Sequence, residues 1–416
     1  MRIARVQVNN YRNLKSVDIK LGALVTLVGE NNSGKSNFLR AMTLPFMADE
    51  GSVGKRLSWF DINSDVKDHY YSFIQEHSNE IADGSMGLES FRAVIPSVTV
   101  TVDLQYDPIE AYDAKDLLVA DGDDLIPRIR YRWFVANPQS LLELVKSLVM
   151  DVTDIQSIKM SLLPMSEYKY EIVSPDASGD RHLPYDVLAR FRYFSLPAER
   201  DNFAASAGRL GSKPLLQENV NPAGQKRIEQ GYGEFLETIR DAAKLDEVIN
   251  WQDYSDDPRA KDFFDSVSVL PNMPLMSSIF SSIRLGYNDE SLSLQGLGYR
   301  NLILMAVMLN AYLETSDGIS LRIVAVEEPE AHLCVNNTLL MASFFKVFGE
   351  KNSRTQLIYT THDAEFVNKV GLDKVVILHN GAAVSLVEAL QPEDMDSPTI
   401  RTPTFSSSFF RTGLSL

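Results

Sequence analysis

Cysteine is nearly absent from this chain. Its 416 residues include one, Cys334, so no intrachain disulfide framework exists and a reducing cytoplasm is the expected compartment. Positive charge is also scarce: 40 lysines and arginines face 56 carboxylates, a formal net charge of −16. That balance excludes a protein that coats DNA through its overall field, although a local basic groove can survive inside an acidic total. No apolar run reaches membrane-spanning length, and Met1-Arg2-Ile3-Ala4-Arg5 leads into a strand instead of a signal segment. A soluble, cytoplasmic chain with no membrane partner is therefore expected. What is present is an ordinary globular composition, 44% hydrophobic and 23% charged. The length suffices for two or three units with their own cores.

One stretch organises the rest. The apolar run Leu24-Val25-Thr26-Leu27-Val28 stops at Gly29; a polar loop, Glu30-Asn31-Asn32-Ser33-Gly34, follows, and Lys35-Ser36-Asn37-Phe38 opens a segment with helical spacing. This is the strand, loop and helix context that the GxxxxGK[ST] pattern requires. Gly29 and Gly34 permit backbone torsions and close approaches that a side chain would block, so successive N–H groups converge on phosphate oxygens at the positive end of a helix. Lys35 then brings a compact cation to the β and γ phosphates, and the Ser36 hydroxyl suits Mg²⁺, which takes oxygen ligands. ATP and Mg²⁺ are the expected ligands.

Around this loop the chain reads as a split nucleotide core. Residues 3–8 and 14–21 alternate as two short strands, and residues 98–106 and 129–135 have period two, as half-buried antiparallel strands do. Arg128, Arg130 and Arg132 share one face, which fits either a solvated strand face or a nucleic-acid surface. Residues 46–90 carry no clear period. A helix is expected over 141–149, strands over 167–173 and 192–196, and a loop or boundary rich in Ala, Gly, Ser, Asn and Pro over 202–222. Phe235, Leu236, Ile239, Ala242 and Ala243 recur at helical spacing. The apolar runs 321–326 and 356–361, separated by a helical stretch over 338–348, fit a mainly parallel sheet, and residues 374–387 read as a hairpin turning at Asn380-Gly381. The expected division is 1–109 and 282–390 as two parts of one ATPase head, 110–281 as an inserted β/α module for dimerisation or partner binding, and 391–416 as a tail or docking arm.

Further residues complete the chemistry. Glu327 and Glu328 end an apolar strand, where Glu327 can hold Mg²⁺ and Glu328 can act as general base on the attacking water. His362 ends another strand after two threonines, where a neutral imidazole can meet the γ-phosphate or hold the water. Ser291-Leu292-Ser293-Leu294-Gln295-Gly296-Leu297-Gly298 precedes an apolar helix, a second anion-binding turn. It cannot serve a phosphate already held by Gly34 and Lys35 unless it reaches over from another subunit, so a dimer with nucleotide sandwiched between two chains is expected.

Taken in order, these motifs resemble the ABC-type ATPases of the SMC and RecF group, and most closely the OLD (overcoming lysogenization defect) family. The matching wording is Asn10-Tyr11-Arg12-Asn13-Leu14, Gly29-Glu30-Asn31-Asn32-Ser33-Gly34-Lys35-Ser36, Glu327-Glu328-Pro329-Glu330-Ala331-His332-Leu333 and Thr360-Thr361-His362. The resemblance implies an α/β fold, an ABC-type P-loop ATPase head with a mixed sheet and an antiparallel β subdomain, split by an α-rich insertion. It implies ATP held by Gly29, Asn31, Asn32, Ser33, Gly34, Lys35, Ser36, Asn37 and Arg12, with Ser293, Gly296 and Gly298 acting in trans. Metal would sit on Ser36 and Glu327, and Lys35, Glu328 and His362 would be catalytic. The family suggests a homodimer or higher homo-oligomer that controls a separate Toprim-type nuclease effector in defence against phage, with a phage-derived trigger. The acids Glu388, Asp394 and Asp396 are too closely spaced to build a Toprim domain here. Two other readings stay open: a RecF/SMC-like repair ATPase that clamps DNA, and the ATPase portion of a longer OLD nuclease.

Overall fold

Alternating burial builds the first of two large sheets. Strands β1 (Arg2–Tyr11), β2 (Leu14–Lys20), β5 (Val98–Gln105), β6 (Leu118–Asp121), β7 (Asp124–Val135), β8 (Tyr168–Asp176) and β9 (Gly179–His182) pair entirely antiparallel, in the order β2-β1-β5-β7-β8-β9 with β6 beside β7. In β7 the alternation is strict: Ile129, Tyr131, Trp133 and Val135 are buried, and the arginines between them face the other way. The computed structural model describes residues 1–48, 55–151, 155–176, 179–198, 220–244, 274–275, 278–279, 286–313, 319–351, 355–371 and 374–386.

The second sheet is made of runs that are apolar throughout. Its strands are β3 (Leu24–Val28), β4 (Met47–Ala48), β10 (Phe191–Leu196), β13 (Leu321–Glu327), β14 (Thr355–Thr360), β15 (Val375–His379) and β16 (Ala382–Ser385), in the order β16-β15-β3-β14-β13-β10-β4. All neighbours are parallel except β15 and β16, which form the expected hairpin. Every residue of β3 and β14 is buried, as strands covered on both faces must be. One apolar core spans both sheets: Val6, Val100 and Tyr131 from the first join Val25, Ile323 and Ile358 from the second, with Phe38 and Met42 of the Lys35–Thr43 helix. The α/β class, the mixed sheet and the antiparallel sheet thus stand as expected.

The strand order positions the site. β14 lies between β3 and β13, and the parallel register pairs Leu27 with Thr360 and Thr360 with Glu327. The loop after β3, the acids after β13 and the histidine after β14 therefore leave the sheet side by side at its carboxyl edge.

The structure corrects the expected boundaries of the insertion. Two compact units divide the chain: Met1–Arg200, Leu297–Leu302 and Asp317–Leu416 form one, and Asp201–Gly296 with Ile303–Ser316 the other. Residues 110–200, expected in the inserted module, belong to the first unit, because β7 and β8 hydrogen-bond into the antiparallel sheet and β10 pairs with β13. Half-buried strands read alike wherever they pair, so the alternation in β7 carried no sign of its sheet. Among its described residues the periodless stretch holds the α-helices Ser64–Glu76, Ser78–Asp83 and the start of Leu88–Val94. The last two are too short to show a helical period, and they pack on the helix Pro138–Asp151.

In the second unit, the described residues include the helix Pro222–Ala242, which the Asn221 side chain caps by accepting from Gly224 N–H at 2.8 Å. They also include a short hairpin, β11 (Gly286–Tyr287) and β12 (Glu290–Ser291). Most of the expected 202–222 boundary and all of the 391–416 tail lie outside the described residues. Among the described residues no helix is long and apolar enough to cross a membrane.

Candidate nucleotide-binding site

The loop after β3 is shaped by contacts only glycine permits. Gly29 has φ +155°, and a Cβ there would stand 2.2 Å from the Leu378 carbonyl oxygen of β15. Gly34 has φ +113° and caps the Lys35–Thr43 helix with no side-chain bond, which leaves the first-turn N–H groups facing the loop. Asn32 has φ +63°. Its carbonyl accepts from Asn13 Nδ2 at 3.0 Å, and Asn37 Nδ2 donates to Asn13 Oδ1 at 2.8 Å, so the β1–β2 turn braces the loop. On the other side Gly381 N–H, at the tip of the β15–β16 hairpin, donates to Ser33 O at 3.1 Å.

Two buried groups in the loop point to an anion. Ser33 Oγ is buried without a hydrogen-bond partner, an arrangement that costs free energy unless a ligand accepts from it. Lys35 is buried and donates to Gly29 O and Glu30 O, both at 2.8 Å. Burial pushes its ammonium below the ordinary lysine value, and Glu328 and Glu330 pull the other way. The unpartnered hydroxyl, the open helix N-terminus and the buried cation fit a polyphosphate.

The acids and the histidine meet this loop. Ser36 Oγ donates to Glu327 Oε2 at 2.7 Å, which joins the start of the helix to the end of β13. A hydroxyl and a carboxylate are an oxygen donor set suited to Mg²⁺. Among the described residues no group of three or more His, Cys, Asp or Glu side chains is placed to hold a metal. Glu328 sits at φ +44°, uncommon for a residue with a side chain, and its N–H donates to Thr360 O and Thr360 Oγ1, both at 3.1 Å. His362 Nε2 lies 3.4 Å from Glu328 Oε1. Burial first, then Lys35, pushes His362 below its ordinary value against the pull of Glu328, so the imidazole is neutral at neutral pH.

Arg12, at φ +49°, bonds Asp61 through Nε at 2.9 Å and Asn37 Oδ1 through Nη1 at 3.1 Å. It lines a cavity of about 520 Å³ with Asn13, Asn37, Ser58, Phe60 and Lys67. Asp61, Phe60 and Lys67 lie in the periodless stretch, where no motif marked them. Lys55 was also unmarked. Its ammonium donates to Thr43 O, Leu44 O and Phe46 O at the C-terminus of the loop's helix, and burial pushes it down to about 7.

The structure thus brings together Gly29 to Asn37, Arg12, Glu327, Glu328 and His362. Gly298 packs on the main chain following the acids: a Cβ there would stand 2.6 Å from His332 O. Ser293 lies in the one-turn segment Leu292–Leu294 of the second unit, and a Cβ at Gly296 would meet nothing within 4 Å.

With that geometry in view, the likeness to known proteins decides the family. The model of the AAA ATPase domain family matches residues 1–156 and 209–367. The chain belongs to that family. An OLD nuclease of Thermus scotoductus is 23% identical over 388 residues, which is 88% of this chain and 60% of that protein. A DNA replication and repair protein RecF of Rickettsia bellii is 41% identical over 63 residues, 15% of this chain and 17% of that protein. The chain therefore spans less than two thirds of the curated relatives it matches. Among solved structures, an SMC head bound to the C-winged helix domain of ScpA aligns over 94% of this chain and 99% of that chain, at 13% identity and a TM-score of 0.44. The SMC head domain of Thermotoga maritima aligns over 92% and 98% at 13% identity and a TM-score of 0.42. As a member of the AAA ATPase domain family, this chain carries an ATPase domain over residues 1–156 and 209–367.

Proposed function

We propose that this AAA ATPase is Mg²⁺-dependent, that its catalytic site is completed by a second copy of the chain, and that its nucleotide state controls a separate effector. One observation carries the reading: Ser36 Oγ bonds Glu327 Oε2 at 2.7 Å, and beside it His362 Nε2 meets Glu328 Oε1 at 3.4 Å. The first pair is a metal-binding pair beside a phosphate loop, and the second is a carboxylate base with an orienting neutral imidazole.

In this reading the open N–H groups of the helix and Lys35 hold the β and γ phosphates. Ser36 and Glu327 would hold Mg²⁺, which would supply positive charge to offset that developing on the phosphoryl oxygens. Glu328, fixed by its two bonds to Thr360, takes the proton of the attacking water, and His362 holds Glu328 or the γ-phosphate in place. Ser293, Gly296 and Gly298 supply the second anion site from the partner copy. Support for a second copy is that Gly298 packs on His332 and not on Gly34 or Lys35 of its own chain.

The similarity to an OLD nuclease supports a nuclease as the effector; its Toprim type, a phage-derived trigger and a role in defence are what the motif resemblance to the OLD family implies. The lone cysteine supports a cytoplasmic setting. The 60% coverage of that relative favours a second reading, in which these residues are the ATPase portion of a longer OLD nuclease. The DNA-clamp reading loses its arginine face: Arg128 Nη2 bonds Asp103 at 3.0 Å and Asp121 at 2.7 Å, and Arg132 bonds Glu171 at 2.9 Å and Asp180 at 2.8 Å.

The test is Glu328→Gln. It should keep ATP bound, lower turnover by about 10²- to 10⁴-fold, the range of a lost general base, and accumulate an ATP-dependent oligomer by light scattering. Normal turnover in this variant would overturn the assignment.

A further inference from the structure

Glu330 is the third acid of the Glu327-Glu328-Pro329-Glu330 run, and the chemistry above does not use it. Its carboxylate nevertheless occupies a junction. Oε1 accepts from Thr361 Oγ1 at 2.8 Å and from His362 N–H at 2.7 Å, so it fixes the main chain of the residue that meets Glu328. Thr361 Oγ1 in turn accepts from Asp363 N–H at 3.0 Å, at the start of the helix Ala364–Val370. The Glu330 carbonyl accepts from Leu333 N–H at 2.9 Å and closes the turn in which His332 takes φ +66°. The carbonyl of His332 is the group on which Gly298 packs.

A buried carboxylate is costly to keep, and this one is mostly buried. Oε2 has no hydrogen-bond partner, and desolvation pushes the group above the usual carboxylate range. A threonine or asparagine could brace a turn at lower cost. What an acidic or amide side chain adds at this length is one oxygen that accepts two donors at once, the hydroxyl of Thr361 and the main chain of His362.

We propose that Glu330 is a positioning residue for hydrolysis: it sets His362 against Glu328 and ties that arrangement to the turn bearing His332, on which Gly298 packs. The proposal rests on the ATPase reading above. It acts through His362 and Glu328 and touches no reacting atom, so its loss moves turnover and spares nucleotide binding. Glutamine keeps the accepting oxygen and presents an amide where Oε2 stands, so it preserves the device.

The experiment is steady-state ATP hydrolysis and fluorescent-nucleotide binding by the full chain carrying Glu330→Ala, Glu330→Gln, Thr361→Val or Glu328→Gln. Glu330→Ala should lower kcat by about 10- to 100-fold, the range of a sub-ångström to ångström misplacement, with KM and nucleotide affinity within about twofold of wild type. Glu330→Gln should recover kcat to within about threefold of wild type. Thr361→Val removes one of the two donors in a nearly isosteric change, and should give an intermediate loss even if the alanine variant does not fold. A Glu330→Ala or Thr361→Val protein with wild-type kcat, or a Glu330→Gln protein as slow as the alanine variant, would overturn the positioning role. Glu328→Gln separates the two readings: if it hydrolyses ATP normally, Glu328 is not the general base and the catalytic reading above falls. If it is inactive while Glu330→Ala turns over normally, only the role of Glu330 falls.

Discussion

The carboxyl edge of the parallel sheet and the arginine face of the antiparallel sheet are both rich in charge, yet they are built on opposite terms. On the arginine face two of the three charges are paired: Arg128 and Arg132 each engage two carboxylates, Arg130 donates to Thr101 Oγ1 at 3.2 Å, and Arg132 Nε is buried without a partner. At the sheet edge Glu327, Glu328 and Glu330 Oε1 have partners but other polar atoms do not. Ser33 Oγ and Glu330 Oε2 are buried without partners, Lys35 leans on two carbonyls, and Asn32, Glu328 and His332 hold positive φ. Matched charges stabilise a surface, whereas unmatched groups held by strained backbone are left for a ligand.

That contrast can be sharpened by disturbing each region in its own terms. The sheet edge depends on close backbone approach, so Gly381→Ala should have the larger effect. Gly381 has φ +77°, and a Cβ there would stand 1.9 Å from Asn13 O while its own N–H donates to Ser33 O. Thermal denaturation should register a loss of about 2–3 kcal/mol, typical of overpacking at a strained position, with weaker nucleotide binding in the same variant. An unchanged melting temperature would mean that the hairpin tip does not brace the loop. The arginine face depends on pairs that water screens. Arg132→Ala should cost about 0.5–1 kcal/mol and leave ATP turnover as in wild type. A large fall in turnover, or the loss of ATP-dependent DNA retention at moderate salt, would return this face to the functional site.

Local chemistry made the phosphate loop, the paired acids and His362 legible in the sequence. Each is a short run whose residue types carry meaning at fixed spacing, and the fully apolar runs of β3, β13 and β14 announced strands buried on both faces. What could not be read depends on partners distant in the chain. Asp61 meets Arg12 from 49 positions away, and Ser36 meets Glu327 across 291. The latter was expected only because both ends carried motifs. Asp61, Lys55 and Phe60 carried none. The helices between 64 and 94 are short, and each ends on local geometry, such as Gly84 at φ +83°, instead of showing a long amphipathic period. The insertion boundary failed for a related reason, since alternation gives a strand its faces but not its sheet.

The shared site is the central claim, and complementation between two damaged chains tests it most directly. Lys35→Ala removes the phosphate-loop cation. Gly296→Asp places a negative charge on the expected trans turn at a position where a Cβ meets nothing within 4 Å, so it should not disturb the fold. Each variant alone should be inactive. In an equal mixture half the dimers are mixed, and each of these pairs one intact loop with one intact turn, so ATP turnover should return to about a quarter of wild type. A mixture that stays as inactive as its parts, while wild-type chains in the same assay exchange subunits, would contradict a site shared between two copies.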